Sequence, residues 1–174
     1  MPIDIKILVA RLTTMKVLLV DDEYYMRKVV RTLLLSIGVT KIFEAPDGPS
    51  GLEKIRTVAP DVVILDWGMP GLNGFGFVRM VRTPATFPYP DVPIIMLTGH
   101  SERSRVIEAV KLGVNEFLVK PVSSKSLKDR LLSVLAKPRV AMQDRKNPVP
   151  TPSKLVAAVH ADNDRAIANL VMLD

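Results

Sequence analysis

The chain contains no cysteine among its 174 residues. Disulfides and thiolate-ligated metal or redox centres are excluded, and the composition fits a reducing compartment. No apolar run approaches the ~20 residues a membrane helix needs. The first fourteen residues, MPIDIKILVARLTT, lack the basic n-region and small-residue cleavage site of a secretory signal. A cytoplasmic location is therefore expected. There is no block of Lys and Arg either, although the net charge is +6. Residues 1–14 hold two basic and one acidic residue, residues 15–136 sixteen and thirteen, and residues 137–174 six and four. Charge spread this thinly describes a solvated surface, so no nucleic-acid partner is expected. Phosphate-binding glycine loops are missing too. The glycines of "GLNGFG" (Gly71, Gly74, Gly76) are not in G-x-G-x-x-G order, and no P-loop is present.

What the chain does have is enough apolar residues to build a core, 48% of the total with 24% charged. Between Met15 and Ala136 they alternate between two periods. Strands are expected at Lys16–Val20, Thr40–Glu44, Val62–Leu65, Ile94–Leu97 and Phe117–Val119. All but the second are continuously apolar, as parallel strands buried on both faces should be, and the second suits a sheet edge. Helical spacing fills the gaps. Met26, Val29, Val30, Leu33, Leu34 and Ile37 form one stripe that Gly38 can end. A second helix starts near Asp47–Pro49, a third spans Phe75–Arg82, and a fourth stops at Gly113. A fifth starts at a Ser123 or Ser124 cap. Five β-α units predict a parallel sheet with helices on both faces.

The flanks read differently. "IKILVA" resembles "KVLLV" in character, so residues 1–14 form an N-terminal extension, either an extra strand or residues preceding a natural start at Met15. Residues 137–174, with "KPR" and "NPVPTP", read as a linker and tail. Ser153 to Leu173 has the pattern of a short amphipathic helix that is marginal alone.

The polar residues fall at strand ends. Asp21 and Asp22 follow the first strand, Asp66 the third, Thr98 the fourth and Lys120 the fifth. In a parallel sheet these ends share one edge, where open α/β sheets bind ligands. Taken singly, each has a bland reading: a helix cap, a turn residue, a strand end. Together they bring three carboxylates, a hydroxyl and an ammonium to one place. Three carboxylates against one ammonium leave about −2 (three acids, one base), which an oxygen-seeking divalent ion such as Mg2+ would offset. A carboxylate beside Mg2+ and a lysine can attack a phosphoryl group, giving an aspartyl phosphate.

The motifs "LLVDDE", "VILDWGMPGLNG", "IIMLTG" and "GVNEFLVKP" stand in this order along Met15–Ala136. In them the chain resembles the receiver domain of two-component response regulators, as a stand-alone receiver. The resemblance implies a flavodoxin-like, doubly wound α/β fold whose five parallel strands are ordered 2-1-3-4-5. It also implies that Asp66 accepts the phosphoryl group. Asp21, Asp22, Asp66 and the Gly68 carbonyl would hold Mg2+. Thr98 and Phe117 would be the switch residues, and Lys120 would contact the phosphate ahead of a cis bond to Pro121. Gly68 and His100 occupy the positions that tune dephosphorylation. Gly68 has no side chain to act, while His100 either orients or shields water or is simply solvated.

The expected donor is a histidine kinase or histidine phosphotransfer protein. The expected receiver of the signal is a protein bound at the face formed by the fourth predicted helix, fifth strand and fifth helix. Two other functions compete. A Mg2+-dependent aspartyl-phosphate phosphohydrolase would want a second acid where Gly68 stands. A DNA-binding regulator would need a recognition helix that the basic tail does not show. The connection "RTPATFPYPDVP" is long and rich in proline, and its Phe87 and Tyr89 are expected to pack locally rather than on a partner.

Overall fold

A computed structural model of the chain describes residues 4–99 and 105–137. Its elements are α1 (Ile5–Leu12), β1 (Lys16–Val20), α2 (Tyr24–Ser36), β2 (Lys41–Ala45), α3 (Gly48–Val58) and β3 (Val62–Asp66). There follow α4 (Gly74–Val81), β4 (Ile94–Thr98), α5 (Val106–Leu112), β5 (Glu116–Val119) and α6 (Ser124–Ala136). The five strands form one parallel sheet in the order β2-β1-β3-β4-β5, which is the expected flavodoxin-like arrangement.

Strand alternation divides the core in two. Leu18, Val20, Val63, Leu65, Ile94, Met96 and Phe117 point to one face and meet Leu52 and Ile55 of α3, Phe77 and Val78 of α4, and Ala109 and Val110 of α5. Val17, Leu19, Val62, Ile64, Ile95, Leu97 and Leu118 point to the other, where Leu12 of α1, Val30 and Leu34 of α2, and Leu127 and Leu131 of α6 cover them. Register locks this division, with Leu18 beside Val63, Leu65 beside Met96 and Leu97 beside Leu118.

Local chemistry sets the helix ends. The side chains of Asp47, Asn73 and Ser123 each accept a backbone N–H of the following turn, starting α3, α4 and α6. Ser123 is thus the cap, and Ser126 completes a capping box with it. Gly38 (φ 97°) and Gly113 (φ 102°) close α2 and α5 in the left-handed region.

The N-terminal extension does not form an extra strand. It forms α1, because Ile5, Leu8, Val9 and Leu12 repeat at helical spacing and the Asp4 carboxylate accepts the Lys6 N–H at 2.9 Å. A sixth strand beside β1 has no room, since β2 and β3 occupy both its edges. Other boundaries shift by a residue. β2 runs Lys41–Ala45, β5 begins at Glu116, and α4 ends at Val81. Asp66 and Thr98 are the last residues of their strands rather than the first beyond them.

Two buried polar residues hold the loops at the N-terminal edge of the sheet. Arg82 reaches the carbonyls of Pro90 (2.8 Å), Val92 (2.6 Å) and Gly113 (2.9 Å) and the Asn115 side chain (3.0 Å). The Asn115 oxygen also accepts the Ile94 N–H at 2.8 Å. Glu116 lies under α6, accepting from Ser133 and Lys137, both at 2.7 Å. Phe87 is buried in the core with the Arg56 guanidinium 4.8 Å from its ring centre, so it does pack locally. Tyr89 remains 39% exposed. His100 and the tail beyond Lys137, with its helical pattern from Ser153 to Leu173, lie outside the described residues.

Candidate functional site

Four strand ends meet at the C-terminal edge of the sheet. β1 delivers Asp21, which is fully buried, and the exposed Asp22. The Asp21 Oδ1 accepts the Glu23 N–H at 2.8 Å, which begins α2. The Arg27 guanidinium donates to the Asp21 carbonyl at 2.7 Å and fixes this turn from behind. β3 ends in Asp66, buried to 6% exposure. Its Oδ2 accepts the Gly68 N–H at 3.1 Å, and its Oδ1 accepts from the Lys120 Nζ at 2.6 Å. β4 ends in the buried Thr98, whose carbonyl accepts the Lys120 N–H at 2.9 Å. Lys120 follows β5 and is joined to Pro121 by a cis bond. Phe117, the expected switch aromatic, has its ring inside the core between the sheet and the α3–α4–α5 layer.

Asp21, Asp22, Asp66, Gly68, Thr98 and Lys120 therefore come together, Phe117 lies in the adjoining core, and His100 is outside the described residues. Carboxylate oxygens of Asp21, Asp22 and Asp66 lie within 4.8 Å of one another. Among the described residues, two polar atoms here are buried without a hydrogen-bond partner, the Asp21 Oδ2 and the Thr98 Oγ1. Buried polar atoms are rarely left so, and at a functional site they mark where a ligand supplies the missing partner. Burial pushes the Asp21 carboxyl up to about 6, the charges of Asp66 and Asp22 push the same way, and the Glu23 N–H and Lys120 only partly oppose them. For Lys120, burial disfavours the ammonium, but the Asp66 hydrogen bond and the charges of Asp66, Asp21 and Glu23 outweigh it and hold the group above its usual range. Clustered oxygen donors, excess negative charge and an orphaned carboxylate oxygen fit a hard divalent cation such as Mg2+. The unpartnered hydroxyl fits an anionic oxygen placed beside it.

Gly74 is a residue the sequence pattern did not single out for this site. Its N–H closes the loop after Asp66 onto the Trp67 carbonyl at 3.0 Å. A β-carbon there would come within 2.9 Å of the Asp66 carbonyl and 3.0 Å of the Trp67 Cα. Both are backbone atoms and cannot swing aside, so α4 approaches the acceptor strand this closely only with glycine. The proximity comes from tertiary packing, which no local pattern displays. Arg27 was likewise unforeseen, since its targets are backbone carbonyls that no pattern displays.

Comparison with known proteins agrees with this architecture. The response regulator receiver domain family matches residues 17–132. The chain is 36% identical to the chemotaxis protein CheY of Pseudomonas aeruginosa over 117 residues, 67% of this chain and 93% of that protein. It is 39% identical to the chemotaxis protein CheY1 of Helicobacter pylori over 122 residues, 70% of this chain and 97% of that protein. The crystal structure of a putative response regulator from Chloroflexus aurantiacus superposes with a TM-score of 0.65 at 29% identity, over 71% of this chain and 98% of that one. The structure of chemotaxis protein CheY4 of Vibrio cholerae gives 0.61 at 34% identity, over 69% and 98%. With the acidic triad, the threonine and the lysine gathered at one sheet edge, the chain belongs to the response regulator receiver domain family.

Proposed function

We propose that the chain is a phosphorylation-switched signalling module that takes a phosphoryl group on Asp66 from a histidine kinase or a histidine phosphotransfer protein. Residues 15–136 make up the receiver, residues 1–14 an N-terminal extension and residues 137–174 a tail. The observation that carries this reading is the 2.6 Å contact between Lys120 Nζ and Asp66 Oδ1, beside two further carboxylates and an unpartnered hydroxyl. A structural ion pair would not need the other three groups.

Asp21, Asp22, Asp66 and the Gly68 carbonyl would hold Mg2+, which when bound offsets carboxylate charge and favours phosphoryl oxygens near them. Asp66 is the nucleophile. As its oxygen bonds to phosphorus, the donor's N–P bond breaks and the imidazole leaves with the electron pair. Lys120 then passes from the Asp66 oxygen to a phosphoryl oxygen, and the Thr98 hydroxyl donates to another. With Thr98 and Phe117 drawn to the phosphoryl side, the face made by α5, β5 and α6 favours its partner-binding form, a population shift rather than a new fold. The chain is a phosphoacceptor, not a turnover enzyme. Gly68 offers no second acid for hydrolysis.

Trp67, the only tryptophan, is buried and adjoins Asp66, so it reports on the site directly. Addition of Mg2+ and then beryllofluoride should change its fluorescence in two steps. Asp66→Asn should abolish the second step. A wild-type signal indifferent to both ligands, with no metal uptake by calorimetry, would remove the phosphoacceptor reading.

A further inference from the structure

The apolar arc of α1 is wider than the surface it buries. At 100° per residue, Ile5, Leu8, Val9 and Leu12 fall within an arc of about 100°. Leu8 and Leu12 are buried, Leu12 in the core beside residues of α2 and α6, yet Ile5 is 69% and Val9 37% exposed. Ile7, on the opposite side of the helix, is also exposed. Ile5 and Val9 lie one turn apart and leave one flank of α1 apolar and uncovered.

Chain order says what is near it. α6 packs against α1, and Lys137, which ends the described part of α6, is held to Glu116 at the first position of β5. The residues beyond 137 therefore continue from the end of α6, the helix that packs against α1. Residues 138–154 can extend by about 55 Å, several times the ~12 Å length of α1. After them the sequence places Leu155 and Val159, then Ile167, Leu170 and Val171, at i, i+4 and i, i+3, i+4 spacing. Charge is complementary as well. α1 carries Lys6 and Arg11 after its Asp4 cap, whereas residues 155–171 hold Asp162 and Asp164 against Arg165.

We propose that residues 155–171 of this same chain dock on the Ile5–Val9 flank of α1 and cover it. The tail then belongs to the α1–α6 side of the molecule. The segment gains a packing partner for a helix that is marginal alone, and the exposed flank of α1 gains a cover.

Hydrogen exchange on the full chain tests this, with Ile5→Glu/Val9→Glu as the comparison. Both positions are solvent-facing, and unchanged protection across residues 17–132 shows that the receiver is intact. Amides of residues 155–171 should be protected at least tenfold over an unstructured peptide in the wild type and lose that protection in the double variant. Light scattering should give a monomer throughout. Because the chain has no native thiol, Val9→Cys provides a second readout. Its reaction with a maleimide should quicken at least fivefold when residues 153–174 are deleted. Absent protection, protection that survives Ile5→Glu/Val9→Glu, or an unchanged thiol rate would overturn the proposal. Protection seen only with a dimer mass would assign the face to a second copy instead and overturn it equally.

Discussion

Asp21 shows how one buried group stores instability for a ligand to relieve. An aspartate carboxyl ordinarily titrates at 3.8, but in the fold this one is pushed up to about 6. Between those values the folded state binds the proton and the unfolded state releases it. The penalty is therefore fully present above pH 6 and disappears as the pH falls towards 4. For a shift of this size it is at most about 3 kcal/mol. In EDTA at pH 7.5, Asp21→Asn should therefore be more stable than wild type by urea denaturation, and the gap should shrink at pH 5. A second prediction concerns Gly74. Gly74→Ala forces the Asp66 carbonyl and Trp67 Cα apart from the new methyl group, costing about 1–3 kcal/mol. It should also shift the Trp67 emission even without Mg2+, whereas Gly76→Ala, where the close contact is the flexible Leu72 side chain, should leave that emission alone. Of the site residues, the aspartates, Thr98 and Lys120 were legible because strand ends can be read from apolar runs. Gly74 and Arg27 were not, because their work is done on backbone atoms of other segments.

At the scale of elements, the five strands and the helices after them were legible from period alone, since each buried face repeats at 2 or 3.6 residues. α1 was not legible as a helix, because "IKILVA" is too short to separate the two periods. What decided it was the Asp4 cap and the absence of a free edge on β1. The long α4–β4 connection was legible as a loop but not as an ordered one. Its order comes from Arg82, whose guanidinium gathers three carbonyls and the Asn115 oxygen at the starts of β4 and β5. Arg82→Met keeps the side-chain length and removes every donor. Leaving those buried acceptors unpaired should cost at least about 2 kcal/mol. Exchange protection should fall first in residues 84–92, while Mg2+ binding at the opposite edge of the sheet survives.

For the molecule as a whole, the two-sided core makes the sheet a rigid support, and the site lies along one of its edges. Binding at that edge should raise the stability of the entire fold. At a Mg2+ concentration a hundred times its dissociation constant, linkage gives about 2.7 kcal/mol, read as a rise in Tm that Asp21→Asn or Asp66→Asn diminishes. Sequence alone could not supply the depth of burial that makes this coupling strong, because burial of Asp21 depends on every layer packed around β1.

The path of the backbone has one more consequence. α1 enters the sheet at the start of β1, and α6 returns to the same edge, where Lys137 meets Glu116. The junction of α1 with β1 and the end of α6 thus both lie at the rim opposite the carboxylates, about a strand's length, roughly 16 Å, away. Sequence joined after Lys137 therefore starts on the far side of the sheet from the carboxylates. The same module can be carried as cargo from that end, with its acidic edge left open.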